Sequence, residues 1–182
     1  MRTLLEMLDP GEDERLLDIG TGTAALLREL ARRRDRPARA VGLDRSPAML
    51  ARAGPIPAGW ELLRGDARRL PFESGSFDVA TASYLLHVVT ADARAAILGE
   101  IHRVLGAGGR VGMITVAPPR SRVGLALSRP VRAAAARSDG ALAGLRPLDP
   151  GPLLREAGFA ATGRRRVLRG YPSLCVTALR PR

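Results

Sequence analysis

"LLDIGTGTAALL", residues 16–27, sets an aspartate inside an apolar run, follows it with two glycines, and ends in alanine and leucine. "RLLDIG" reads as a buried strand, and "TAALLRELARRR" after it as a helix with Ala25, Leu26 and Leu30 on one side. Gly20, Gly22 and Ala25 fit the G-x-G-x-x-[GA] turn of dinucleotide sites, and Asp44 stands at about the distance where such sites take a ribose hydroxyl. Asp18 argues against a dinucleotide. A pyrophosphate sits on the helix start, where a carboxylate in the approaching strand end opposes it. A ligand with an ammonium and a sulfonium group, and no phosphate, is helped by the same carboxylate. A P-loop is excluded, because the chain has no lysine.

The alternation continues outward from this unit. "ARAVGLD" reads as a second strand, and "SPAMLARAG" as a helix capped by Ser46, begun by Pro47 and followed by Gly54. "WELLRGD" and "SFDVATAS" are the third and fourth strands. "ADARAAILGEIHRVLGAGG" is an amphipathic helix with Ile97, Ile101, Val104 and Leu105 on a stripe, stopped by glycines. "RVGMITVAP" is a fifth strand, too apolar for a wet face. "DPGPLLREAGF" is a helix capped by Asp149, started by Pro150 and ended by Gly158, and "TGRRRVLRG" and "PSLCVTAL" form an antiparallel pair turning at 170–172. The expected fold is α/β, Rossmann-like and doubly wound: a mostly parallel seven-stranded sheet with a C-terminal antiparallel hairpin.

At 182 residues, one domain over 1–182 is expected. Aromatic residues are only 3%, so the core is aliphatic. The single cysteine, Cys175, rules out an internal disulfide framework and a CxxC metal site, and reads as a small buried hydrophobe. "MRTLLEMLDP" is too short an apolar run for a signal peptide, and no segment approaches a bilayer span, so a soluble, cytoplasmic protein is expected. The net charge of +11 invites a nucleic-acid reading. Every positive side chain is arginine, however, and the arginines are dispersed apart from short clusters at 32–34 and 164–166. A solvated surface explains most of them. His102, beside Ile101 and Arg103, is read as surface.

"LLDIGTGTAALL", "VGLDRSPAMLARA", "LLRGDARRLPFESGSFDVATASYLLHVV" and "EIHRVLGAGGRVGMITVAPP" resemble, in order and spacing, class I S-adenosylmethionine-dependent methyltransferases. The small-molecule and lipid branch, with the ubiquinone/menaquinone-type enzymes, is nearest. The resemblance covers residues 14–118, and 149–182 more loosely. It implies S-adenosylmethionine as cofactor. Asp18 would lie near its methionine amino end, with Gly20, Thr21 and Gly22 forming the turn. Asp44, with Arg45 beside it, would take the ribose hydroxyls. Asp66 and the backbone of Ala67 would read the adenine amino edge, and Ser83 would sit by the sulfonium. Two departures stand out: Ala24 replaces a frequent glycine, and "LGAGG" replaces a common Lys-Pro-Gly-Gly.

The implied reaction is methyl transfer to a small-molecule or lipid-like acceptor at O, N or C. His87 in "SYLLHVV" is the candidate base and Tyr84 a candidate wall of the substrate mouth, with packing roles as their alternatives. Two other functions stay open, an RNA methyltransferase and a non-catalytic cofactor-binding protein. The first is disfavoured by the lack of an Asn/Asp-Pro-Pro-aromatic after strand four, of any lysine tetrad, and of a cysteine placed to attack cytosine. Relatives carry more helices before strand one than Met1–Arg15 supplies. Residues 118–148, with Val123, Leu125, Leu127, Leu142 and Leu145 among prolines and glycines, are therefore expected to form a substrate lid, with a homodimer closing the remaining side. No metal is expected.

Overall fold

The computed structural model describes residues 1–118, 146–168 and 172–182. The lid expected at 118–148 therefore lies, over 119–145, outside the described residues, as does part of the turn at 170–172. In chain order the elements are α1 (Arg2–Leu8), β1 (Arg15–Ile19), α2 (Ala25–Leu30), β2 (Arg39–Asp44), α3 (Pro47–Leu50), β3 (Glu61–Arg64), β4 (Phe77–Ser83), α4 (Ala91–Val104), β5 (Leu105–Val116), α5 (Pro150–Glu156), β6 (Ala160–Val167) and β7 (Ser173–Leu179).

The seven strands form one sheet in the order β3-β2-β1-β4-β5-β7-β6. β1 to β5 pair in parallel, while β7 runs antiparallel between β5 and β6. The expected architecture is what folds. The chain winds from β1 out to β3 and restarts at β4 on β1's other side, so the sheet reverses direction between β1 and β4. Open α/β sheets bind ligands beyond the strand carboxyl ends at such a reversal.

Each face carries its own apolar layer. Leu17, Ile19, Ala80 and Met113 pack against Ile97 and Ile101 of α4 and Leu154 of α5. Leu16, Val79 and Ile114 pack on the other face with Leu4, Leu5 and Leu8 of α1 and Leu26, Leu27 and Leu30 of α2. α1 was not expected. Its seven residues are too few to be stable alone, and its three leucines bury themselves on the sheet.

One lateral row explains how α1 and α2 come so close. Register places Gly42, Asp18, Thr81, Gly112, Thr177 and Gly163 side by side across β2, β1, β4, β5, β7 and β6. Neighbours in such a row share a face, so the row forms a trench of small and polar residues under the two helices. A Cβ on Gly112 would lie 2.5 Å from Leu8 Cδ1 and 2.8 Å from Leu4 Cδ1. Gly112→Ala should therefore push α1 off the sheet and destabilise the fold by about 1–3 kcal/mol, the usual scale of overpacking. Urea unfolding of parent and variant measures this, and an unchanged midpoint would refute the packing role.

Three boundaries differ from the sequence reading. α2 ends at Leu30 rather than running through the arginines, because Arg33 turns back to bind Asp9, Asp35 and the carbonyl of Leu5. α3 is a single turn, although Ser46 caps it as expected by accepting from the Met49 amide at 3.3 Å. α4 stops at Val104 before the glycines, since Leu105 is already extended and paired with Phe77. Asp149 and Pro150 start α5 as predicted, and Gly158 follows it at φ +87°. Cys175 is buried. His102, expected at the surface, is half-buried there: its ring sits edge-on to Phe159 at 5.1 Å, and burial lowers its pKa.

Candidate functional site

The predicted cofactor residues gather at the carboxyl ends of β1 to β4. After Ile19 the chain makes a turn with three left-handed residues at alternate positions, Gly20 (φ +68°), Gly22 (+56°) and Ala24 (+58°). Glycine adopts such angles freely and alanine does so at some cost. Ala24 is fully buried and caps α2, so the strained position is held by packing around its methyl. The Gly20 and Thr21 amides both donate to the Leu43 carbonyl, at 2.8 and 3.0 Å, which ties the turn to β2.

Asp44 completes the tie. Its carboxylate accepts the Gly22 amide on Oδ2 at 2.8 Å and the Ser46 amide on Oδ1 at 2.9 Å. Each carboxylate oxygen has room for a further bond, so Asp44 can also accept from a ligand. A Cβ on Gly22 would meet only the Met49 methyl, at 4.0 Å, so the turn leaves open space beside Asp44.

Asp18 sits beneath the turn rather than on it. Its side chain is 2% exposed. Its oxygens accept from Thr21 Oγ1 and Thr81 Oγ1, each at 2.7 Å. Burial raises its pKa to about 6, the two threonine hydroxyls oppose the rise, and the Asp44 charge adds to it. Thr21, expected to meet the cofactor, turns its hydroxyl inward to Asp18.

The other predicted residues are placed less uniformly. Asp66 lies just past β3, but its carboxylate is held by the Arg68 guanidinium, with the shortest contact 2.5 Å, which keeps its pKa down at about 2. Arg45 is exposed, and its charge helps to hold the Asp66 pKa down. Ala67 is half-buried against the α4-side core. Ser83 ends β4, and its Oγ is buried without a hydrogen-bond partner. Tyr84 follows at φ +56°, with its hydroxyl 2.6 Å from Ser173 Oγ and its ring packed with the α1-side cluster.

His87 is 2% exposed, edge-on to Tyr84 at 5.8 Å, and its Nδ1 has no partner. Burial lowers its pKa to about 4, with the Arg94 charge contributing. Arg94, which sequence reading passed over, donates from Nε to the Leu86 carbonyl at 2.7 Å and so anchors the segment carrying His87 to α4. Thr81 was missed as well. Its partnership with Asp18 depends on strand register, for which the sequence carries no signal.

Fold and turn together define a doubly wound α/β protein whose predicted cofactor residues gather around the β1/β4 reversal. Residues 16–109 match the methyltransferase-domain family, and the chain belongs to it. Membership implies S-adenosylmethionine as the cofactor. A demethylmenaquinone methyltransferase of Roseiflexus castenholzii is 42% identical over 108 residues, which are 58% of this chain and 44% of that protein. The ubiquinone/menaquinone biosynthesis C-methyltransferase of Desulfotalea psychrophila is 35% identical over 119 residues, 63% of this chain and 46% of that one. The chain thus spans about half the length of these relatives. A SAM-dependent methyltransferase structure from Methanosarcina mazei superposes with a TM-score of 0.72 at 19% identity, covering 93% of both chains. The residues present fit the cofactor: a carboxylate with open lone pairs at Asp44, open space at Gly22, and an unpartnered hydroxyl at Ser83. Among the described residues no helix is long and apolar enough to cross a membrane, and no acid, histidine or cysteine cluster could hold a metal.

Proposed function

We propose that the chain is an S-adenosylmethionine-dependent methyltransferase acting on a small-molecule or lipid-like acceptor, the class named by its curated relatives. The single observation that carries this reading is the turn over the buried Asp18, latched by Asp44 at the sheet's reversal point. Bound there, the cofactor supplies a methyl group already activated by its sulfonium. Asp44 accepts the ribose hydroxyls. Asp18, buried beneath the turn, would act on the amino end through its negative charge. The Ser83 hydroxyl lies by the reacting end, and Asp66 meets the adenine edge after sharing or releasing Arg68. His87 Nδ1 takes the proton when the acceptor is a hydroxyl. Leu148 is tied to the end of β5: its amide donates to the Val116 carbonyl at 3.1 Å, and its carbonyl accepts from Thr115 Oγ1 at 2.7 Å. A cytoplasmic location and a homodimer belong to the same reading.

Asp44→Ala should weaken S-adenosylhomocysteine binding by roughly 1.5–3 kcal/mol, the scale for bonds to a charged group, or about 10- to 150-fold in Kd. Calorimetry with S-adenosylhomocysteine and NAD tests the reading. NAD binding tighter than S-adenosylhomocysteine would overturn it. Labelled methyl transfer to a quinol and metabolite library then identifies the acceptor. Cofactor binding without turnover would favour a non-catalytic protein, and transfer to RNA would favour a nucleic-acid enzyme.

A further inference from the structure

The buried contact between β1 and β4 carries more than the cofactor reading uses. Asp18 pairs laterally with Gly42 on one side and Thr81 on the other. A Cβ on Gly42 would lie 2.9 Å from Thr21 Oγ1, so the glycine opens the space into which Thr21 turns. The result is a closed chain of hydroxyl, carboxylate and hydroxyl, Thr81–Asp18–Thr21, with both links at 2.7 Å. Thr81 is fully buried, and Asp18 and Thr21 nearly so. Nothing else in the described site joins β4 to the turn after β1 through a charged group.

We propose that Thr81 is a positioning residue for the methyl-donor site, fixing the Asp18 carboxylate through its hydroxyl while Asp18 fixes Thr21 and the turn. The assignment rests on the methyltransferase reading of that turn. Thr81 touches no ligand in this scheme and acts only through Asp18. The surroundings make its hydroxyl count. α1 and α2 bring leucines to this face, Leu4 and Leu8 over Gly112 and Leu27 over Gly42. The one charge among the groups acting on Asp18 is Asp44 at the end of β2, of the same sign. Among the described residues no cation therefore offsets the Asp18 charge, and the two threonine hydroxyls are what favour its ionised form. Removing one should make Asp18 take up a proton at higher pH.

The test titrates S-adenosylhomocysteine into the full chain from pH 5 to 9, for the parent, Thr81→Val, Thr81→Ala and Thr81→Ser. In the parent, affinity should fall as pH drops through about 6. In the Val and Ala variants that fall should begin about one pH unit higher, giving binding about twofold weaker than the parent near pH 7, about fivefold weaker near pH 6, close to tenfold weaker at pH 5, and parental at pH 9. Serine should restore the parental curve. Val and Ala curves lowered equally at every pH, or indistinguishable from the parent, would overturn the proposal. If the parent binds no S-adenosylhomocysteine at any pH, the methyltransferase reading fails instead. Carbon-13 NMR titration of the Asp18 carboxyl then still tests Thr81: a midpoint raised in Val or Ala and restored in Ser supports the coupling, and one midpoint in all four chains refutes it. Two different replacements keep the test available if one of them does not fold.

Discussion

Asp18→Asn should make the protein more stable at pH 8 by up to about 3 kcal/mol, while weakening its hold on S-adenosylhomocysteine. The carboxyl is buried and its pKa is raised to about 6 from 3.8, with burial as the largest cause. A group whose pKa is higher in the folded state favours folding when protonated. Its contribution is therefore complete below about pH 3.8 and lost as pH rises through about 6. That interval corresponds to about 3 kcal/mol of folding free energy. Asparagine is neutral at every pH and nearly isosteric. Its carbonyl can accept one threonine hydroxyl, and its amide can donate to the oxygen of the other. Parent and variant should converge in stability below about pH 4 and separate above pH 6. The separation should be visible as a rise of several degrees in Tm at pH 8. Thermal unfolding at the two pH values checks the sign. A parent more stable than the variant at pH 8 would show that the threonines more than compensate for burial. Loss of affinity alongside gained stability is the trade expected where a destabilising charge is kept for its ligand.

His87→Ala should lower turnover by about 10²-fold or more with a hydroxyl acceptor, the lower end of what a positioned base contributes, and leave cofactor affinity nearly unchanged. The ring is buried, and its pKa is lowered to about 4, first by burial and then by the Arg94 charge. It is thus neutral at pH 7, with Nδ1 free of other bonds, which is the proton-accepting form. At saturating cofactor the rate should hold down to about pH 4 and fall below it as the imidazole is protonated. Stability follows the opposite sense to Asp18. Because the folded pKa lies below the ordinary 6.5, the His87 contribution is present above pH 6.5 and lost as pH falls through about 4. Over much the same interval Asp18 gains what His87 loses. Asp18→Asn should therefore expose a steeper acid loss than the parent shows. His87→Gln, close in size, separates base from packing. A gln variant with parental turnover would leave the histidine a packing role, whereas one as slow as alanine supports the base.

The sequence by itself determined the strand–helix alternation, the antiparallel end of the sheet, the glycine turn after Asp18 and the acid at the end of β2. These are local patterns: apolar runs of strand length, caps such as Ser46 and Asp149, and glycines where the chain turns left-handed. They are set by residues close together in the chain, so the sequence displays them directly. The tertiary structure alone decided what each side chain meets. Asp18 was legible as an acid in an apolar run, but Thr81, 63 residues away, becomes its partner only through the register of β1 on β4. That register is set by packing of both faces at once. The docking of α1 was hidden for the same reason, since Leu4 and Leu8 find their place only where Gly112, and Met7 only where Gly163, leaves the sheet thin. Burial likewise separates residues that look alike in sequence. Asp66, exposed enough to be claimed by Arg68, ends with a pKa of about 2, and Asp18, enclosed by leucines and two hydroxyls, with one of about 6. The charge state of a carboxylate depends on its solvent and neighbours in space, and the order of residues along the chain does not record them.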